Sequence, residues 1–143
     1  MKVLVINGPN MNLLGKREKV YGSFTLEELI EKVRVYAEKL GIEVEFFQSN
    51  YEGAIVEKVQ HAEGVFDGII INPAAYTHTS VAIRDALSAV RVDAVEVHIT
   101  NIFAREEFRR KTITGGAAKG VIAGLGAEGY LLALRYFKER VEE

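Results

Sequence analysis

The segment IIINPAAYTHTSVAIRD, residues 69–85, is the stretch that decides how the fold is read. The apolar run at residues 69–71 predicts a buried strand that stops at Asn72, and a helical pattern resumes at Thr79, just after His78. Helix starts at the ends of parallel strands present free N–H groups, which open α/β proteins use to bind anionic small molecules. We therefore predict that this segment forms half of an active site.

Composition narrows the class of protein. The 143 residues make one domain, 1–143, and the 18 basic and 20 acidic side chains give a net charge of -2, which favours neither nucleic acid nor a membrane surface as partner. A small molecule is the expected partner. There are no cysteines, which excludes thiolate chemistry and Cys-ligated metals. The N-terminal sequence has too short an apolar run for a signal peptide, so a cytoplasmic location is expected.

Outward from residues 69–85, strand and helix patterns alternate along the chain. Thr25 and Glu28 predict a capping box at the start of the first helix, and Gly41 predicts its end. The other predicted elements are strands at 3–6, 42–47, 68–71, 92–99 and 120–123, and helices at 54–62, 79–90 and 127–141. This order predicts a parallel sheet covered on both faces, with the carboxyl ends of the strands at one edge.

Two segments lack a clear period. Residues 11–24 carry several charges between glycines and are expected to form a mobile lid. The charged segment 104–111 is compatible with one or two helical turns. Four turns should meet at the carboxyl edge of the sheet: 7–10, 48–50, 72–80 and 98–101.

The three histidines are expected to differ in role. His61, within a helix, is predicted to lie at the surface, whereas His78 and His98 lie at strand ends, where an imidazole is well placed for acid–base chemistry. Glu96, two residues before His98, points the same way along a strand. A carboxylate that orients the histidine is favoured over a zinc ligand, because no third ligand is close in sequence.

The arginines are by default solvated, but Arg105 and Arg109 share a helical face and could bind a carboxylate together, with Arg110 pointing elsewhere. Tyr21 lies in the lid with Arg17 and could simply anchor it. A tyrosine phenol acts as a base near neutral pH only if its ionised form is stabilised by roughly 4 kcal/mol. Two guanidinium groups in a closed site could supply that energy, and the arrangement suits proton abstraction next to a carbonyl.

Five long motifs of the chain carry a resemblance to a known family: GPNMNLLGKREKVYG at 8–22, QSNYEG at 48–53, INPAAYTHTSVAIRDAL at 71–87, EVHITNIFAREEFR at 96–109 and GVIAGLGAEGYLLAL at 120–134. In this order along the chain they resemble the type II 3-dehydroquinate dehydratase family. The resemblance implies a flavodoxin-like fold with a three-layer α/β architecture and strand order 2-1-3-4-5. It implies dehydration of 3-dehydroquinate to 3-dehydroshikimate through an enolate, in the shikimate or quinate pathway, without cofactor or metal. It also implies a homo-oligomer, usually a dodecamer of four trimers.

The resemblance also assigns roles to residues. It implies that Tyr21 removes the C2 proton and that Arg17 stabilises the phenolate, while Asn10 holds a water at the enolate oxygen. His98 would protonate the leaving C1 hydroxyl, oriented by Glu96. The remaining implied roles are substrate binding by Asn72, His78, Arg109 and the backbone of Ile99 and Thr100, support of the tyrosine by Arg105, and action across a subunit boundary by Asp85.

The lid departs from the family pattern: REKVYG lacks the usual proline and brings Arg17 within four residues of Tyr21, so it is one residue shorter. Two other readings compete. A phosphate-binding or receiver module with this fold would need an acidic pocket or a glycine loop, neither of which follows the first strand. A lyase that forms a Schiff base on Lys119 would need surroundings that activate the amine, and nothing near it in sequence supplies them.

Overall fold

The computed structural model describes residues 1–140. Its sheet contains five parallel strands in the order β2-β1-β3-β4-β5, as the resemblance predicted. The strands are β1 Lys2–Asn7, β2 Glu43–Gln48, β3 Gly68–Asn72, β4 Ala94–His98 and β5 Gly120–Ala123. The α-helices are α1 Leu26–Leu40, α2 Glu52–Gln60, α3 Val81–Ala89 and α4 Glu128–Glu139. The predicted end of α4, at residue 141, lies outside the described residues.

Helices cover both faces of the sheet. Alternate residues of each central strand point to opposite faces. Val5 and Ile70 pack into the core under α1 and α4, whereas Ile6 and Ile71 pack under α2 and α3. Burying one such side chain contributes about 1.5–3 kcal/mol, and this explains why β1 and β3 are almost wholly apolar. In these two strands the polar residues, Lys2, Asn7 and Asn72, lie at the ends.

The first helix forms as its sequence predicts. The Thr25 hydroxyl accepts a hydrogen bond from the Glu28 N–H (3.1 Å), and the Glu28 carboxylate accepts one from the Thr25 N–H (3.2 Å). Gly41 ends the helix in a left-handed conformation (φ 70°). The helix then buries Leu29 and Val33 against the sheet. Local caps and the apolar stripe therefore specify the same element.

The segment after β3 differs from the prediction. Residues Ala74–His78 form a 3-10 helix, and α3 begins only at Val81. The Ser80 hydroxyl caps α3 by accepting from the Ile83 N–H (2.9 Å). The helix therefore starts two residues later than predicted: His78 ends the 3-10 helix, and the Ser80 hydroxyl satisfies one of the N–H groups at the start of α3.

The two segments without a period are both partly ordered by short helices. In the predicted lid, 3-10 helices form at Met11–Leu13 and Lys19–Tyr21, and Met11 is buried in the core. The lid is therefore anchored at its beginning. The segment 104–111 contains the 3-10 helix Glu107–Arg109 and no α-helical turn. Among the residues described, none of the helices is long and apolar enough to cross a membrane.

Candidate active site

A cavity of about 140 Å³ opens at the carboxyl edge of the sheet. The turns after β1, β3 and β4 line it together with the lid and the arginine segment. Ten of the twelve predicted site residues reach it: Asn10, Arg17, Tyr21, Asn72, His78, His98, Ile99, Thr100, Arg105 and Arg109. The parallel sheet thus brings together side chains that lie up to 99 positions apart in the sequence (109 − 10 = 99).

Glu96 lies directly behind His98 on β4. The His98 Nε2–H donates to the Glu96 carboxylate (2.9 Å), and both side chains are buried. An ionised carboxylate only accepts hydrogen bonds, so this contact places a proton on Nε2 and leaves Nδ1 as the nitrogen available to a ligand. The contact that the sequence predicted is therefore present, with a carboxylate orienting the histidine.

Two threonine hydroxyls also bind Glu96. Thr112 donates to one carboxylate oxygen (2.6 Å) and Thr114 to the other. Burial raises the pKa of the Glu96 carboxyl, but the hydrogen bonds from His98, Thr112 and Thr114 lower it by more. The pKa of Glu96 consequently lies below its ordinary value, and the buried carboxylate is charged at neutral pH.

Two guanidinium groups lie close to the Tyr21 ring. The Arg17 guanidinium carbon lies 3.9 Å from the centre of the Tyr21 ring, and that of Arg105 lies 5.0 Å from it. Both arginine side chains are mostly shielded from solvent, at 21% and 16% exposure. Positive charge close to a phenol favours its ionised form, and shielding from water strengthens the effect. The two-arginine arrangement expected from the sequence is present despite the shorter lid.

The structure also fixes the orientation of His78. Its Nδ1 lies 2.8 Å from the backbone carbonyl oxygen of Lys111. A carbonyl oxygen can only accept, so Nδ1 carries a proton and donates it, which leaves Nε2 as the nitrogen available to a ligand. This half-buried imidazole is suited to binding a hydroxyl group.

Asn72 is held by buried partners on both sides of its amide. Its Nδ2 donates to the Tyr130 hydroxyl (3.0 Å), which in turn donates to Asn7 Oδ1 (2.6 Å). Its Oδ1 accepts from the Ala74 N–H (3.0 Å), and Ala74 adopts a left-handed φ of 54° that is uncommon for alanine. These hydrogen bonds fix the orientation of the Asn72 amide at the cavity wall. Burial also raises the pKa of the Tyr130 phenol, so its hydroxyl keeps the proton that it donates to Asn7.

Asn10 also has a defined backbone geometry. It adopts a left-handed conformation (φ 66°), which asparagine tolerates better than most residues. Its N–H donates to Asn50 Oδ1 (3.0 Å), and Gln48 donates to the same oxygen (3.2 Å) and to the Gly8 carbonyl oxygen (3.1 Å). The turn after β2 therefore supports the turn after β1 and does not itself line the cavity.

The turn after β4 offers backbone donors. Within the described residues, the N–H groups of Ile99 and Thr100 donate no hydrogen bond to the protein. The Arg105 guanidinium donates to the Thr100 hydroxyl (3.2 Å), and Arg109 reaches the same cavity while ion-paired with Glu106 (3.0 Å). Free N–H groups beside guanidinium groups form a site for a carboxylate.

The other side chains considered in the sequence analysis lie outside the cavity. Arg110 donates to the Arg105 carbonyl oxygen (2.9 Å), and His61 is exposed at the end of α2, both as predicted. Lys119 is exposed just before β5, at the amino edge of the sheet, and no lysine appears among the described residues that line the cavity. Asp85 is exposed on α3 and does not reach the cavity of its own chain.

Sequence reasoning missed three residues that hold the site from behind. Thr112 lies between regular elements and Thr114 begins the four-residue 3-10 helix Thr114–Ala117, which is too short for a sequence period to indicate which way a side chain points. Tyr130 offered a signal: it lies on the apolar face of α4, and a fully buried tyrosine hydroxyl needs a partner.

The fold and site together define a class of protein: a flavodoxin-like α/β enzyme with a phenol and an imidazole in one arginine-lined cavity. Among the described residues, no three His, Cys, Asp or Glu side chains cluster closely enough to hold a metal ion. The family model "Dehydroquinase class II" matches residues 1–138. The chain belongs to the class II dehydroquinase family.

Individual relatives agree with this. A 3-dehydroquinate dehydratase of Thermotoga maritima is 55% identical, covering 100% of this chain and 99% of its own. A 3-dehydroquinate dehydratase of Wolinella succinogenes is 59% identical, covering 94% of this chain and 81% of its own. The crystal structure of the type II dehydroquinase of Butyrivibrio crossotus superposes with a TM-score of 0.95 at 49% identity, covering 97% of this chain and 98% of its own. That of Propionibacterium acnes gives 0.94 at 40% identity, covering 97% of each chain.

Proposed function

We propose that this protein is a hydro-lyase that dehydrates 3-dehydroquinate to 3-dehydroshikimate by anti elimination through an enolate. The names of the relatives and the family support the substrate and the reaction. The observation that carries the mechanism is the pair of guanidinium groups on the Tyr21 ring, in the same cavity as the Glu96-backed His98. A base and an acid thus reach one substrate from different elements.

In this mechanism Tyr21, as the phenolate, removes the C2 proton, and Arg17 and Arg105 stabilise the phenolate charge. The electrons move onto the neighbouring carbonyl to form an enolate, and Asn10 holds a water at that oxygen. The enolate then collapses, and the C1 hydroxyl leaves as water after taking a proton from His98. The negative charge of Glu96 2.9 Å from the imidazole stabilises His98 while it carries the second proton it donates.

Substrate binding uses the remaining groups. The free N–H groups of Ile99 and Thr100 bind the substrate carboxylate, and Arg109 adds positive charge nearby. Asn72 and His78 bind hydroxyl groups, because each presents one orientation held by an internal hydrogen bond. Preorganised polar groups of this kind lose little entropy when substrate binds.

The test of this function is conversion of 3-dehydroquinate by the purified protein, followed as rising ultraviolet absorbance of the conjugated enone. We expect turnover in the presence of a metal chelator and after borohydride treatment with substrate. Borohydride inactivation would instead indicate a Schiff base on lysine. An unchanged absorbance in untreated samples would contradict the assignment.

Assembly and location belong to the same proposal. We expect a homo-oligomer, a dodecamer of four trimers, in which Asp85 contributes to a neighbouring subunit's site, and the exposure of Asp85 on α3 is compatible with that role. Light scattering of the native protein would give the subunit number, and a monomer would exclude the role of Asp85. A cytoplasmic location stays a prediction, which fractionation of the source cells would check.

A further inference from the structure

Residues 111–115, called the strap below, contact His78 through the Lys111 carbonyl oxygen and Glu96, the partner of His98, through Thr112. The Ile113 N–H donates to the Thr77 carbonyl oxygen (2.8 Å), which ties the strap to the 3-10 helix that carries His78. On its other side, the Arg84 guanidinium donates to the Ile113 carbonyl oxygen (2.7 Å). The strap therefore has a fixed position although it contains no α-helix or strand.

The strap presents two hydroxyl groups to one buried carboxylate. Thr112 and Thr114 each donate to a different oxygen of Glu96, whose side chain is 0% exposed. Thr114 is also fully buried, so water cannot replace its hydroxyl without a rearrangement. Together with the His98 Nε2–H, these hydroxyls are the donors that the described residues supply to Glu96.

A buried carboxylate stays ionised only if donors compensate for the lost water. Without them the group takes up a proton and becomes neutral. A neutral Glu96 would no longer stabilise a doubly protonated imidazole, and its own proton could compete with the His98 N–H for the contact. The hydroxyl groups of the strap thus act on the acid through Glu96.

We propose that Thr112 and Thr114 are positioning residues for the acid: they keep Glu96 ionised and so hold His98 oriented and able to deliver a proton. This inference rests on the proposed function, in which His98 is the acid. Neither threonine lines the cavity, so neither is expected to touch the substrate. Their effect belongs in the proton-transfer step and not in substrate binding.

The surroundings of Glu96 make this assignment specific. His98 is the titratable side chain that contacts the carboxylate from β4. On the elements packed beside the strap, His78 on the 3-10 helix and Arg84 on α3 bind carbonyl oxygens of the strap. The threonines are therefore the groups whose removal changes the solvation of Glu96 without removing a charge.

The test compares Thr114→Val with Thr114→Ser, which differ in the hydroxyl. One hydrogen bond to a charged group is worth about a tenfold change in an equilibrium, or about one pKa unit. Activity that requires ionised Glu96 is present above its pKa and lost as the pH falls through it. Since the valine variant raises that pKa, we expect the ratio of its kcat to that of the parent to fall as the pH is lowered, to about one tenth in acid, and to approach one near neutral pH, with KM within about twofold of the parent.

The serine variant should restore the parent profile. In a Glu96→Gln background, Thr114→Val should cause little further loss, because the group on which it acts is gone. Equal profiles for the valine and serine variants, or a loss that appears only in KM, would overturn the proposal. If Thr114→Val fails to fold by circular dichroism, Thr112→Val and Thr112→Ser, at a partly buried position, provide the same comparison.

A second readout does not depend on turnover. Carbon-13 NMR of the Glu96 carboxyl follows its protonation directly, and we expect its midpoint to move up by about one pH unit in Thr114→Val and not in Thr114→Ser. If the midpoint does not move in a variant that still converts 3-dehydroquinate, the role of the threonines is refuted and the proposed function is not affected. A moved midpoint in a protein that does not convert 3-dehydroquinate would refute the proposed function and leave the contact intact.

Discussion

Two walls of the cavity contrast in how they hold their reactive groups. The strand-end wall is His98 together with its supports behind the cavity, Glu96 and the threonines of the strap; His98, Glu96 and Thr114 are buried, and Glu96 accepts hydrogen bonds from His98 and both threonines. The lid wall, Arg17 and Tyr21, is half-buried, and the Tyr21 hydroxyl makes no hydrogen bond to any residue that the structure describes. Stacked guanidinium groups hold the lid wall instead.

In the proposed mechanism, the acid His98 and the base Tyr21 need different surroundings. An imidazole that must donate a proton needs a fixed carboxylate behind it, and a buried carboxylate needs a network of donors. A phenol that must ionise needs nearby positive charge, which a loop can provide when it closes. Changes in the strand-end wall should therefore affect both stability and activity, whereas changes in the lid wall should affect activity alone.

The largest effect is expected from Tyr21→Phe. The variant keeps the ring beside the arginines and removes the proton acceptor, so kcat should fall by at least about 10³. Binding of a substrate analogue, measured by calorimetry, should stay within a few-fold of the parent, and the melting temperature should be unchanged. Retained turnover would remove Tyr21 as the base, and a large loss of stability would remove the contrast between the walls.

His98→Ala should lower both activity and stability. Loss of the acid should reduce kcat by about 10² to 10³, and the loss of one of the three donors to the buried Glu96 carboxylate should lower the free energy of unfolding by about 1.5–3 kcal/mol. Urea denaturation and the absorbance assay measure the two effects. His61→Ala, at an exposed position, is the matched control and should behave like the parent. Equal defects in the two variants would contradict the assignment of the histidines.

A smaller effect, on the free energy of unfolding, is expected when the pH is lowered and Glu96 in the strand-end wall becomes protonated. The folded pKa of Glu96 lies below its ordinary value of 4.5, so its contribution to stability is present above pH 4.5 and is lost as the pH falls through the folded pKa. The difference in unfolding free energy between the parent and Glu96→Gln should be largest near neutral pH and shrink in acid. Urea denaturation at a series of pH values would show this, and a constant difference would mean that Glu96 is not ionised in the fold.

Much of the fold follows from local patterns. Thr25, Glu28 and Gly41 specify α1 because caps are local interactions, and the apolar runs of β1 and β3 specify buried parallel strands. The start of α3 was predicted too early because Ala74 takes a left-handed conformation and the chain forms a 3-10 helix before α3. A sequence pattern does not separate that arrangement from an earlier helix start.

The candidate site also combines contacts that local sequence patterns predict with contacts that depend on tertiary packing. Glu96 and His98 could be paired in advance because side chains two residues apart share a face of a strand. Thr112 and Thr114 could not, because their segment has no period and reaches Glu96 only through tertiary packing. Arg105 reaches the Tyr21 ring across 84 positions of sequence (105 − 21 = 84), and the residues alone left open whether it does so or is a solvated charge.

The most direct test of the division between the walls is exchange of the substrate C2 proton in D₂O, followed by proton NMR with the His98→Ala and Tyr21→Phe variants. We predict that His98→Ala still forms the enolate and exchanges the C2 proton faster than it releases 3-dehydroshikimate. Tyr21→Phe should neither exchange the C2 proton nor release product. Exchange in Tyr21→Phe, or its absence in a folded His98→Ala variant, would contradict the assignment of the base to the lid wall and the acid to the strand-end wall.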